Sequence, residues 1–463
     1  MNSLSRRQFL ASAAAGITAS CTATSLGGYT LADPPKATEK SADDAAKGAA
    51  NKPATIIAPR TADDLQRALD KQLAAGGGLV RLKPKSTITC TVQNVPIAGE
   101  TSIHALLVPA NVDLDLNGGT VLLDLRSNSY GVRLASHATI RNGTVRVVRS
   151  EGKGSQAIWH APIGVGAAYG DGGTVAKPGH FSSVGHWRIE DMTLEQPFEA
   201  AFIQLMSEAH HGLIRNIRML DSEKALLGIS LDWGTVGPVA TADHLVPQMR
   251  KLWEKNEISS THPQHVLIEN ITVGKLGRSM DGNDAGVRCS GCHHITIRNL
   301  QVETAMAAVA LFGGDFGFEF APDHERSQAH KGYLIDGVKI GAARMYGIVM
   351  NGAEDNVYRS RRDFGYDSLR DPVHPGLDQP VIRNVVLRGT GAPHSRGVYA
   401  AATTGAMFEN VDVEGFDTGV AVNSWVRSLT FRNGRIAKNK EKIHLNGGPD
   451  APIDVKFENN AES

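Results

Sequence analysis

A single phrase recurs through this chain: an apolar residue, a variable one, then Asn or Asp, then apolar residues at alternate positions. It appears as Thr139-Ile140-Arg141-Asn142, Ile189-Glu190-Asp191, Ile214-Arg215-Asn216-Ile217 and Ile268-Glu269-Asn270-Ile271. It returns as Ile297-Arg298-Asn299-Leu300, Ile335-Asp336-Gly337-Val338, Ile382-Arg383-Asn384-Val385, Phe408-Glu409-Asn410-Val411 and Phe431-Arg432-Asn433. The closest repeats lie roughly two dozen residues apart, a spacing typical of stacked supersecondary units. Alternating apolar residues predict strands with one buried face. Asn or Asp between two such strands tolerates the left-handed backbone of a tight corner. Corners at equivalent positions would stack and pair their side-chain amides. Rungs made only of strands, with no room for crossover helices, coil into an all-β solenoid, a parallel β-helix.

Length does not argue against this. A chain of 463 residues ordinarily suggests two or three domains, but each solenoid repeat packs only on its neighbours. Lys+Arg and Asp+Glu are balanced at 48 each, so there is no global field to attract nucleic acid. Any affinity for a charged substrate must be local. No apolar run is long enough for a transmembrane span. Of the four cysteines, Cys21 lies near the N-terminus, and Cys90, Cys289 and Cys292 suggest no disulfide framework. Cys289 falls on an alternating strand and reads as a small core residue, with a disulfide to Cys292 or a metal pair as the alternatives.

The N-terminus carries Ser5-Arg6-Arg7-Gln8-Phe9-Leu10 ahead of a weakly apolar Ala-rich stretch. Twin arginines before a hydrophobic pair match the twin-arginine export signal. Residues 1–32 are therefore expected to be a signal peptide read by the twin-arginine export machinery, with a periplasmic or secreted destination. Residues 33–54 lack large apolar side chains and read as a disordered linker. The β-helix domain is expected over 55–463. Thr61 caps a predicted helix containing Asp63, Asp64, Leu65, Ala68 and Leu69, which Gly76-Gly77-Gly78 stops. The helix would cover the open end of the coil, where solenoids need a cap.

This order of helix, glycine run, strand and Asn-rich rungs resembles the pectin-lyase-like superfamily of right-handed parallel β-helix carbohydrate-active enzymes, over roughly residues 55–447. The segment Met280-Asp281-Gly282-Asn283-Asp284 through Asn299 is similar to the Asn-Thr-Asp-Gly-Ile-Asp rung of polygalacturonase-like glycosidases. Where those proteins carry an Asp-Asp pair, this chain has Ala305-Met306-Ala307-Ala308, and their Gly-His-Gly motif is absent. Only Asp281 carries over, so ordinary polygalacturonase activity is not expected.

A second strand follows each corner phrase, and its alternation aims Gln204, Ser230, Asp232, Arg288, Ser290, Phe312 and Asn351 toward solvent on one sheet. Long segments follow three of these strands, Gly234 to Gln264, Gly313 to His330 and Gly352 to Gln379, and are expected to wall a groove over that strip. Loops this long in a compact fold are usually functional or disordered. They contain Trp253, Phe316, Phe318, Phe320, Phe364 and Tyr366 as well as Trp233 and Tyr358, aromatic faces on which sugar rings stack. Glycosidic cleavage needs a protonated carboxyl and a carboxylate, and Asp232, Asp281, Asp284 and Asp315 are the candidates. β-Elimination from a uronic acid needs a base and a cation to neutralise the carboxylate. Arg288 on the strip and Arg359, Arg361 and Arg362 beside Tyr358 suit that chemistry, with Ca²⁺ as a cofactor some β-helix lyases use. His262, His265, His324, His330 and His374 are further acid-base candidates.

The leading expectation is an exported polysaccharide-cleaving glycoside hydrolase with a carboxylate pair that includes Asp232. Gln204, Trp233, Asn351, Tyr358 and the three arginines would bind substrate. A uronate lyase or epimerase using Arg288 as base is the alternative, and a non-catalytic glycan-binding solenoid is the reading from another class.

Overall fold

Each rung bends because particular residues in it leave the extended conformation. Asn142, Asp191, Asn216, Asn270, Asn299, Asn384, Asn410 and Asn433 all have φ between 52° and 62°, the left-handed region that Asn and Asp tolerate best among residues with a Cβ. The strands running up to each of these residues and away from it lie on different faces. Stacking many such rungs gives a right-handed parallel β-helix. The computed structural model describes residues 54–91, 104–125, 130–150, 161–166, 183–199, 201–232, 262–277, 284–313, 330–352, 377–448 and 451–461. A 20-stranded sheet bends at the Asn corners into two faces, and an 11-stranded sheet closes the coil. Successive strands pair in parallel, as Leu227–Asp232 does with Ala285–Ser290.

The corner amides form a ladder. Asn216 Nδ2 donates to Asp191 Oδ1 at 2.8 Å, Asn270 to Asn216 at 3.0 Å and Asn299 to Asn270 at 3.0 Å. The ladder breaks at the next rung, and there the residue at the corner differs from the sequence expectation. Register pairs Arg298 with Asp336 and Leu300 with Val338, so Gly337 (φ 73°) occupies the corner rather than Asp336. Asp336 stands one residue earlier, bonding Arg383 and accepting from Asn384 Nδ2 at 2.7 Å. An acidic side chain beside the corner thus does the ladder's work from a strand position. Valine at Asn270 or Asn299 would put a β-branched side chain at positive φ and remove two ladder bonds at Asn270 and one at Asn299. Each substitution is expected to destabilise the coil by about 1–3 kcal/mol in denaturant titrations, and unchanged midpoints would refute the ladder's contribution.

Inside the coil, apolar side chains line up in columns one rung apart. Ile203, Ile229, Val287, Val309, Ile348 and Val398 are consecutive partners on the 11-stranded sheet and are fully buried. Each such side chain contributes about 1.5–3 kcal/mol on burial. Cys90, Cys289 and Cys292 are buried free thiols, with Cys289 in one of these columns between Leu231 and Leu311. The helix spans Ala62–Ala74 with a full capping box: Asp64 N donates to Thr61 Oγ1, and Asp64 accepts from Thr61 N, each at 3.1 Å. Leu65 and Leu69 are fully buried beneath it. Gly77 has φ 86°, and a Cβ there would run into the Asn111 backbone, which is why the chain turns on glycine. No helix among the described residues is long and apolar enough to cross a membrane.

Candidate functional site

The outer side of the 11-stranded sheet is where the expected strip falls. Ile203 and Leu205, Ile229 and Leu231, and Val287 and Cys289 belong to the continuous inner core, so the residues between them face out. Register then sets Gln204, Ser230 and Arg288 side by side in one outward column. Met206, Asp232, Ser290, Phe312 and Asn351 form a second column at the ends of the same strands.

Where these residues meet, charge and polarity concentrate. Arg288 Nη2 lies 3.5 Å from Asp232 Oδ2, with the two side chains 9% and 3% exposed. The guanidinium carbon sits 5.8 Å from the Phe312 ring centroid, a cation–π arrangement that fixes the plane of the fork. Among the described residues, Gln204 Oε1 and Ser290 Oγ are buried without a hydrogen-bond partner, and the Gln204 amide nitrogen donates to Leu205 O at 3.3 Å. An unmatched buried polar atom costs about 1–3 kcal/mol, a burden that proteins accept where a ligand's hydroxyls supply the missing partner.

The strip is not the solvent-facing floor that alternation alone suggested. Gln204, Ser230, Asp232, Arg288 and Ser290 are all buried, and only Phe312 and Asn351 are half-buried. Both sides of strands Ala201–Met206, Leu227–Asp232 and Ala285–Ser290 are therefore shielded from solvent. The long segments depart from one edge: residues 233–261, 314–329 and 353–376 follow the C-terminal ends of Leu227–Asp232, Ala307–Phe312 and Tyr346–Asn351. Asp281, Asp315, Trp233, Tyr358, Arg359, Arg361 and Arg362 lie outside the described residues, as do His324 and His374.

Asp284 belongs elsewhere. It precedes the strand Ala285–Ser290, whereas Asp232 is level with Ser290 at the strand's far end. At about 3.3 Å per residue the two carboxyls are roughly 20 Å apart, well beyond the roughly 5–9.5 Å that a glycosidase pair spans. Asp284 instead pairs with Arg344 at 3.3 Å, and Arg344 also bonds Leu276 O and Gly277 O. Its part is to tie adjacent turns together.

Several residues at this face were not singled out from the sequence. His293, just past Ser290, is buried with its ring 5.3 Å from that of His262, which the sequence had offered as an acid-base candidate, and tilted 36° to it. Arg133 occupies the Gln204–Arg288 column, with the Gly164 strand between it and Gln204. Further along, Tyr346 and Tyr399 rings lie 5.7 Å apart, and the Arg396 guanidinium stands 5.1 Å over Tyr399. Tyr399 is in register with Val349, Ala310 and Arg288, so the signal that finds it is the strand alignment itself. Among the described residues no group of three or more His, Cys, Asp or Glu side chains is arranged to hold a metal ion.

No protein-family model matches this sequence, and no curated protein matches it. Solved structures do. A tailspike protein of E. coli bacteriophage HK620, a double mutant in complex with a pentasaccharide, is similar over 87% of this chain and 61% of its own, with TM-score 0.51 and 12% identity. The A-module of the Azotobacter vinelandii mannuronan C-5 epimerase AlgE4 covers 87% of this chain and 93% of its own at 13% identity, with TM-score 0.49. That of AlgE6 covers 87% and 95% at 14% identity, again with TM-score 0.49. At such identities the likeness is one of fold.

Proposed function

We propose that this protein is an exported enzyme that cleaves a polysaccharide on the outer face of its 11-stranded sheet. The observation that carries this reading is the buried Asp232–Arg288 pair flanked by the unmatched Gln204 and Ser290. Buried charge, unfilled hydrogen-bonding capacity and long segments leaving the same edge favour an enclosed site that handles a polar ligand. A purely adhesive solenoid has no need of a buried ion pair there.

Glycoside hydrolysis is the leading chemistry. The pairing with Arg288 suits Asp232 to the carboxylate's part, activating water or attacking the anomeric carbon, and leaves proton donation to a second group. Asp315 and Asp281 remain the sequence's candidates for that donor. The alternative is a uronate lyase or epimerase in which Arg288 is the base that takes the proton next to the carboxylate. Incubation with neutral and acidic polysaccharides, followed by reducing-end assay and ultraviolet absorbance of unsaturated uronates, separates the two. Reducing ends without absorbance support hydrolysis, both together support elimination, and neither on any substrate rejects a cleaving enzyme.

The export reading is tested apart from the chemistry. With Arg6→Lys and Arg7→Lys together, the protein is expected to stay in the cytoplasm, as cell fractionation and immunoblotting would show. Normal delivery of the double variant to the periplasm would overturn the twin-arginine assignment.

A further inference from the structure

A second corner column runs parallel to the Asn ladder, and in five successive rungs it is made of histidine. His137, His186, His211, His265 and His294 each have φ between 50° and 59°. Each stands five residues ahead of a corner Asn or Asp, from Asn142 to Asn299. Their rings stack face to face at 4.8, 5.1, 4.8 and 4.6 Å. The column ends at Gly332, which lies against the His294 ring with no room for a Cβ. Asn serves at the neighbouring corners without titrating, so a run of imidazoles is a departure from what the fold requires.

His210 adds a feature that stacking alone lacks. Its Nδ1 lies 2.7 Å from His211 Nδ1, a distance at which one nitrogen must carry a hydrogen and the other must accept it. Two cationic rings would bring two N–H groups face to face. The bond therefore exists only while at least one ring is neutral.

The surroundings offset little of the charge that acid would add: Asp378, in register with Lys331, is held above its ordinary carboxylate range by burial. His210 also contacts Ser183 Oγ. Burial holds Glu208 above its ordinary carboxylate range, so it gains its own proton early. Lys331, one residue before Gly332, adds positive charge beside His294. His293 and His262 lie on the adjacent rungs. Burial, then the neighbouring imidazoles, push His210 down to about 4; burial first, and neighbouring charges second, also depress His186, His211, His265 and His294.

We propose that this column is an acid-sensitive seam, intact at neutral pH, whose protonation parts the rungs and disables the adjacent site. The His294 corner follows the strand end at Ser290, which is in register with Asp232. The link to the site rests on the functional reading above; the loss of stability does not. The sign follows from linkage. With histidine pKa values lowered by folding, the unfolded chain binds more protons below about pH 6.5, so stability is full above that range and lost as pH falls through it.

The test is thermal unfolding of the full-length protein by circular dichroism from pH 8 to pH 4, for wild type, His211→Asn, and His211→Asn with His265→Asn. Asn keeps the left-handed corner and removes the charge, so midpoints at pH 8 should stay close to wild type. The acid-induced fall should move down by about one pH unit in the double variant. Should the variants fold poorly, wild type alone decides: raising salt to about 0.5 M screens cation repulsion and should restore part of the stability lost at pH 5. Identical pH profiles in wild type and variants, or no salt recovery at pH 5, would overturn the proposal. A polysaccharide assay at matched fraction folded shows whether the site follows, without bearing on the seam.

Discussion

Asp232→Asn is expected to reduce turnover by roughly 10²–10⁴-fold. The substitution removes a carboxylate while keeping its volume, so a steady-state assay on the true substrate reads the chemistry directly. Substrate binding should survive, because Asn still offers an oxygen to Arg288. Stability will fall as well. Asp232 is buried in an ion pair with Arg288 at 3.5 Å, and replacing the charged partner there should cost about 1.5–3 kcal/mol. Assays therefore belong well below the variant's melting midpoint. Full activity in folded Asp232→Asn would remove Asp232 from the mechanism.

Arg288 is expected to divide the two chemistries. Alanine would leave Asp232 buried and uncompensated, a change that costs about 3–5 kcal/mol. Lysine is the better probe, since it keeps the charge and loses the planar fork. In a hydrolase Arg288 orients substrate and its partner, so Arg288→Lys should raise KM by about 10–100-fold and leave kcat nearly unchanged. In a lyase or epimerase the same residue neutralises the carboxylate or takes the proton, and turnover itself should collapse. A variant with both parameters at wild-type values would place substrate elsewhere.

Much of the fold is legible because its rule is local. Asn216, Asn270 and Asn299 declare their corners by residue type and by the apolar alternation around them, and stacking follows from repetition. At Ile335-Asp336-Gly337 both Asp336 and Gly337 tolerate a turn, and only register against the Asn299 rung puts the corner at Gly337. The outward direction of Asp232 and Arg288 was equally legible, since Ile229, Leu231, Val287 and Cys289 mark the inward positions. Their burial was not, because alternation gives the direction of a side chain and not what covers the face it points to. Asp284 is one of the carboxylates that residue type offers for a pair with Asp232, yet a strand's length separates the two. The histidine column was readable at its constant distance from each Asn, but histidine carries no strong backbone preference to draw the eye.

The most direct test of the central claim is cleavage of a polysaccharide panel by wild type and Asp232→Asn in parallel, scoring both reducing ends and unsaturated uronates. The expected result is release of reducing ends from at least one polysaccharide by wild type, without uronate absorbance, and its loss in the folded variant. Equal release by both proteins, or no cleavage of any polysaccharide by wild type, would contradict an active site at Asp232 and Arg288.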